Sequence, residues 1–293
     1  MPDPLARPAN LSPPAPAFPW PHGARCAVFP GFDVDAESVW LGMDRRNAER
    51  LVTMSYGGYE ARVGIPKILE LLARHEVRAT FFVTGWTVEA HPGSCEAILA
   101  AGHEIAHHGY LHLRPEPGDL ATMVEEVDRG LDALQRVLGV TPVGYRAPSG
   151  ESFTELLQLL RDRGIRYSSS WRDDIRPYRH LLPDGPGPIE IPVNYSFDDW
   201  NYGITHRLSP RSLFGREEVL AIWRDEFDVT REWGGVVTMV MHPQVTGRPM
   251  RTRILDDFLR YVRAHDDVWW ATGREIAAHY ERCEAVAGER APA

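Results

Sequence analysis

From Cys26 to Trp270 the chain alternates short apolar runs with amphipathic helical stretches, and that alternation admits few architectures. Residues 26–33, 78–83, 103–107, 142–146, 167–170, 189–193, 236–241 and 268–271 read as strands. Runs such as ATFFV and VVTMVM are apolar on both faces, the pattern of strands covered on both sides. Helices fall between them, at about 65–74, 93–101, 120–138, 216–233 and 254–264. In the third of these, Leu120, Met123, Val124, Val127, Leu131 and Leu134 share one side. Ser152 with Glu155 forms a capping-box pair and predicts a further helix running to about Gly164. Apolar strands separated by helices imply a parallel sheet. Seven or eight such units predict an α/β fold, an irregular (β/α) barrel, whose chemistry sits on the loops after the strands.

The 293 residues suit one such barrel. Three parts are expected: a Pro- and Ala-rich arm over 1–22, a barrel domain over 23–285 and a flexible tail over 286–293. The net charge of −9 disfavours a nucleic-acid partner and an anionic membrane surface. No run is long and apolar enough to span a bilayer. The proline-broken start has no apolar signal core, so a cytoplasmic location is expected. Cys26, Cys95 and Cys283, odd in number and widely spaced, suit reduced thiols.

Polar clusters stand at the strand ends. The first strand runs into Asp33 and Asp35, two residues apart and so on one side of an extended chain. Paired carboxylates are costly unless a cation compensates them, although a lone Asp-x-Asp is more often a turn. The third strand runs into His108 and His112, which a single helical turn would bring together. Asp35, His108 and His112 would offer a carboxylate and two imidazoles, the usual donors for catalytic zinc, with room left for water. His107 is an alternative ligand, but on a strand it should point away from His108. Arg146 and His242 end two further strands. Each site alone reads as structural: an ion pair for Arg146, a satisfied core residue for His242. Four such sites at four strand ends are hard to obtain by chance.

The pattern resembles the polysaccharide deacetylase family, with NodB homology and of the carbohydrate esterase type, over residues 24–270. Asp33 and Asp35 match its first motif, His108 and His112 its second, Arg146 and Pro148 its third, and His242 its last. FDVDAE, YGGYEARVGIPKILELLARHEVRATFFV, IPVNYSFDDW and HPQVTGRPMR are similar to a branch of cytosolic peptidoglycan-deacetylase-like, allantoinase-like and cyclic-imide hydrolase proteins. Leu113 departs from that branch, which often has Glu there, and so does WRDD at 171–174.

The resemblance implies a NodB-like barrel and a hydrolase of non-peptide C–N bonds. It implies one divalent ion, zinc or a similar metal, on Asp35, His108 and His112. Asp33 is the implied general base, Arg146 its anchor and His242 the acid for the leaving nitrogen. The Ser149 N–H is a candidate oxyanion donor, with a plain turn residue as the equal alternative. Asp199 and Trp200 would shape the pocket or sit at a subunit contact. The leading activity is N-deacetylation of an acetylated amino sugar, on a small-molecule or oligosaccharide substrate. The alternatives are hydrolysis of a small cyclic imide or ureide, and a non-catalytic binding protein on the same fold. A homo-oligomer, as large as a tetramer and strapped by the arm, is also implied.

Overall fold

The computed structural model describes residues 18–290. Eight strands run parallel: β1 (Cys26–Val34), β2 (Thr80–Val83), β3 (Glu104–His107), β4 (Gly144–Tyr145), β5 (Tyr167–Ser168), β7 (Gly185–Glu190), β8 (Val236–Met241) and β9 (Val268–Trp270). All eight expected strands are present. With an antiparallel strand β6 (Tyr178–Leu182) at one edge, the order is β6-β7-β5-β4-β3-β2-β1-β8, with β9 also on β1. The gap between the first and last strands is crossed by single contacts instead of a ladder. Asp198 bridges Val240 in parallel, and Val236 N–H donates to the Ile175 carbonyl at 2.8 Å. The result is an irregular α/β barrel.

Alternation along β1 divides its two faces. Cys26, Val28, Phe32 and Val34 pack outward on helices Ile65–Arg74, Arg216–Trp233 and Pro249–Arg263. Ala27 and Phe29 point inward with Phe82, Ala106, Tyr167 and Ile189, closing one end of the barrel. Gly31 and Asp33 continue that inward row toward the C-terminal end. A side chain at Gly31 would stand 2.6 Å from the Met239 carbonyl and 2.9 Å from the Arg146 guanidinium. Glycine therefore clears the space that Arg146 fills.

Several expectations are corrected. β6 (Tyr178–Leu182) is an antiparallel strand paired with β7. Its sequence, YRHLL, has no apolar run; the local signal was the Pro183-Asp184-Gly185 turn that pairs Leu182 with Gly185. The Ser152–Glu155 capping box does not form. The helix is Thr154–Asp162 with Phe153 at its N-cap, and the buried Ser152 Oγ has no partner. Left-handed residues Ser149 (φ 58) and Gly150 (φ 71) turn the preceding chain onto another path. Helices Ser38–Met43 and Leu51–Tyr59 and the π-helical segment Glu60–Gly64 fill a region left blank by periodicity.

The last helix is Gly273–Arg290, whose Ala, Glu and Arg residues favour helix. Of the expected arm, residues 1–17 lie outside the described residues. Phe18 and Trp20 pack on the barrel: Trp20 donates to the Gly234 carbonyl, and its ring lies 6.1 Å from that of Trp269. Among the described residues no helix is long and apolar enough to cross a membrane.

Candidate active site

Asp33, Asp35, His108, His112, Arg146 and His242 come together at the C-terminal ends of β1, β3, β4 and β8. Asp35 Oδ1 lies 3.4 Å from His108 Nε2 and 3.7 Å from His112 Nε2. Their candidate ligand atoms all fall within 4.8 Å of one another. Both Asp35 oxygens and His108 Nε2 are buried with no hydrogen-bond partner. Buried polar atoms are rarely left unpaired, so this donor set fits a cation. His108 Nδ1–H donates to the Arg146 carbonyl at 2.7 Å, which leaves Nε2 as the lone-pair nitrogen facing Asp35.

His112 is placed by a loop, not by the helical turn its spacing suggested. Gly109 (φ 73) and His112 itself (φ 57) are left-handed, and no helix begins until Leu120. One Glu126 oxygen accepts the N–H groups of Tyr110, Leu111 and Leu113, at 3.0, 2.9 and 3.4 Å. A buried carboxylate thus supplies what helical bonding would have. His107 points the other way, against Gly130, and burial lowers its pKa to about 3.

Arg146 Nη1 donates to Asp33 Oδ1 at 2.6 Å, while its Nε and Nη2 donate to the Ser169 carbonyl and Oγ at 2.9 and 3.1 Å. Its guanidinium carbon lies 4.0 Å over the Phe82 ring. That fork fixes one Asp33 oxygen. The other, Oδ2, is 3.9 Å from both His108 Nε2 and His242 Nε2. His242 Nδ1–H donates to Asp199 Oδ1 at 2.7 Å. Burial pushes the His242 pKa down, but Asp199, by charge and hydrogen bond, and then Asp33 and Asp35 raise it to about 10. Burial would raise the Asp35 pKa, yet His112 and His108 hold it well below the usual carboxylate range. Burial lowers His112 to about 4, so its ring is neutral at pH 7.

A cavity of about 450 Å³ opens over these groups. Ser149 and Trp200 lie on its wall, and the Trp200 ring meets the His242 ring edge to face at 5.0 Å. Asp199 lies behind His242, off the wall. It accepts from the His242 backbone N–H and from the Thr246 hydroxyl. Sequence reasoning missed Glu126 and Glu60. Glu60 Oε1 accepts the Ala36 N–H at 2.8 Å, and Oε2 accepts from Gln244 N and Nε2 at 3.3 and 3.4 Å. The available signal for Glu126 was an acid among the apolar positions of its helix.

A guanidinium-anchored carboxylate, an imidazole of raised pKa and an unsatisfied ligand set face one cavity, an arrangement suited to hydrolysis. Comparison with known proteins narrows that class. The family model for polysaccharide deacetylase matches residues 46–168. A provisionally assigned polysaccharide deacetylase from Mycobacterium smegmatis is 40% identical, with a TM-score of 0.89 over 93% of this chain and 96% of that one. The Helicobacter pylori peptidoglycan deacetylase is 29% identical over 274 residues, 84% of this chain and 93% of that protein. An allantoinase at 23% identity and TM-score 0.78, over 90% of this chain and 92% of that one, shares the fold. The chain belongs to the polysaccharide deacetylase family, hydrolases of C–N bonds other than peptide bonds.

Proposed function

We propose that the protein removes the acetyl group from an acetylated amino sugar, with one divalent ion, zinc by its donor set, held by Asp35, His108 and His112. The observation that carries this is the orphaned ligand set beside the Arg146-anchored Asp33. An ion held there supplies Lewis acidity toward a carbonyl oxygen. Asp33 Oδ2 takes the proton of the attacking water, since Oδ1 is occupied by Arg146. His242, protonated at neutral pH, turns Nε2–H to the cavity because Nδ1–H is spent on Asp199. That proton goes to the leaving nitrogen, which could not depart as an amide anion. The Ser149 N–H is assigned to the developing oxyanion.

A cavity of about 450 Å³ is the size of an ordinary small-molecule pocket and accommodates a single ring, so hydrolysis of a cyclic imide or ureide is the second reading. Acetate release from N-acetylglucosamine oligomers decides between the two. In the same protein we expect about one divalent ion per chain, lost in the His108→Ala/His112→Ala variant. Equal metal content in both proteins, by elemental analysis, would remove the ligand assignment.

A further inference from the structure

Arg172 sits in the WRDD segment, where the sequence departs from its branch, and lines the cavity. Its Nη1 donates to the Gly150 and Ser170 carbonyls at 3.1 and 3.0 Å, and its guanidinium carbon lies 4.5 Å over the Tyr195 ring. Gly150, left-handed at φ 71, makes room: a side chain there would stand 2.4 Å from Arg172 Nη2. The guanidinium is therefore seated against the loop that carries Ser149.

No carboxylate among the described residues pairs with it. The adjacent acids are engaged elsewhere: Asp173 accepts from the Tyr178 hydroxyl at 2.7 Å, and Asp174 from the N–H groups of Ile175 and Arg176 at 2.6 and 3.1 Å. Acids outnumber bases 41 to 32 in this chain. Other surface arginines take them in two-point pairs, as Arg161 does with Asp184 and Arg163 with Asp128. Arg211, on the same cavity, donates only to Ser209 Oγ from its side chain, at 3.4 Å. A held guanidinium with free N–H groups is a carboxylate receptor.

We infer that the substrate is an acetylated amino sugar that also bears a carboxylate, and that Arg172 binds that carboxylate at the cavity rim. This rests on the deacetylase reading and names the substrate class of that site. It requires no change in the chemistry, because the anion is recognised away from the scissile amide.

Zinc-loaded Asp33→Asn protein, which binds without turnover, is titrated calorimetrically with N-acetylmuramic acid and with its methyl ester. The two differ in charge and hardly in shape. The acid should bind about 10- to 100-fold more tightly, the usual worth of a hydrogen bond to a charged group. That ratio should fall toward one when Arg172→Gln is added, and shrink as salt is raised. Equal affinities in the parent, binding of neither compound, or a variant that weakens both while keeping the ratio would each overturn the inference. The last result would mark Arg172 as a support for the Gly150 loop. Acetate release from N-acetylglucosamine by the wild-type chain is read separately. Release without an acid preference sinks the anion subsite alone. An acid preference with no acetate from any sugar sinks the deacetylase reading and keeps the subsite.

Discussion

The 2.7 Å bond between His242 Nδ1 and Asp199 Oδ1 fixes the ring, its tautomer and its charge together. Asp199→Asn should lower the His242 pKa from about 10 toward the ordinary 6.5. The alkaline limb of the kcat/KM profile should then move down by more than about one pH unit. An unmoved limb would assign it to another group. The sign for stability follows from the same shift. In metal-free protein, a raised folded pKa stabilises fully below about pH 6.5, and that stabilisation is lost as pH rises through about 10. His242→Ala should slow an amide substrate by roughly 10²–10⁴-fold. An aryl ester, whose leaving group needs no proton, should lose little. Equal losses on both substrates would make His242 a positioning residue.

Among elements, the short segments between strands do most of the placing. Glu60–Gly64 is π-helical, wedged between the turn after β1 and the turn after β8. Glu60, fully buried, joins the backbone next to Asp35 to Gln244, two residues past His242. Glu60→Ala strands those N–H groups and should cost about 1–3 kcal/mol, seen as a lower denaturant midpoint. Turnover should fall with it, as both turns lose a common anchor. A variant with unchanged midpoint and rate would show that the turns hold without it. The expected strands were legible because apolar runs report burial directly. β6 was not, since YRHLL has no apolar run, and the His112 loop was not, since its Glu126 clamp lies on the following helix.

At the scale of the whole molecule, Phe18 and Trp20 are docked on the barrel. Residues 1–17 are the remaining candidate for a strap between subunits. We expect light scattering at micromolar concentration to give an oligomer for the full chain and a smaller species once 1–17 are removed. A monomer in both samples would refute the strap. The closure of the barrel is another global feature. It depends on Asp198 reaching Val240, which also delivers Asp199 to His242.

Patterning along the chain was enough to establish the α/β class, the strand ends and the residues clustered there. Those follow from burial periodicity and from residue chemistry, both local properties. Which oxygen of Asp33 is free, which atoms of Asp35 and His108 are orphaned, and which face of His107 is excluded came only from the folded chain. Each depends on groups supplied from elsewhere in the sequence: the Arg146 guanidinium for Asp33, the Arg146 carbonyl for His108, and Gly130 against His107. Hydrogen-bond saturation and close packing are properties of the assembled interior, so no single segment could have specified them.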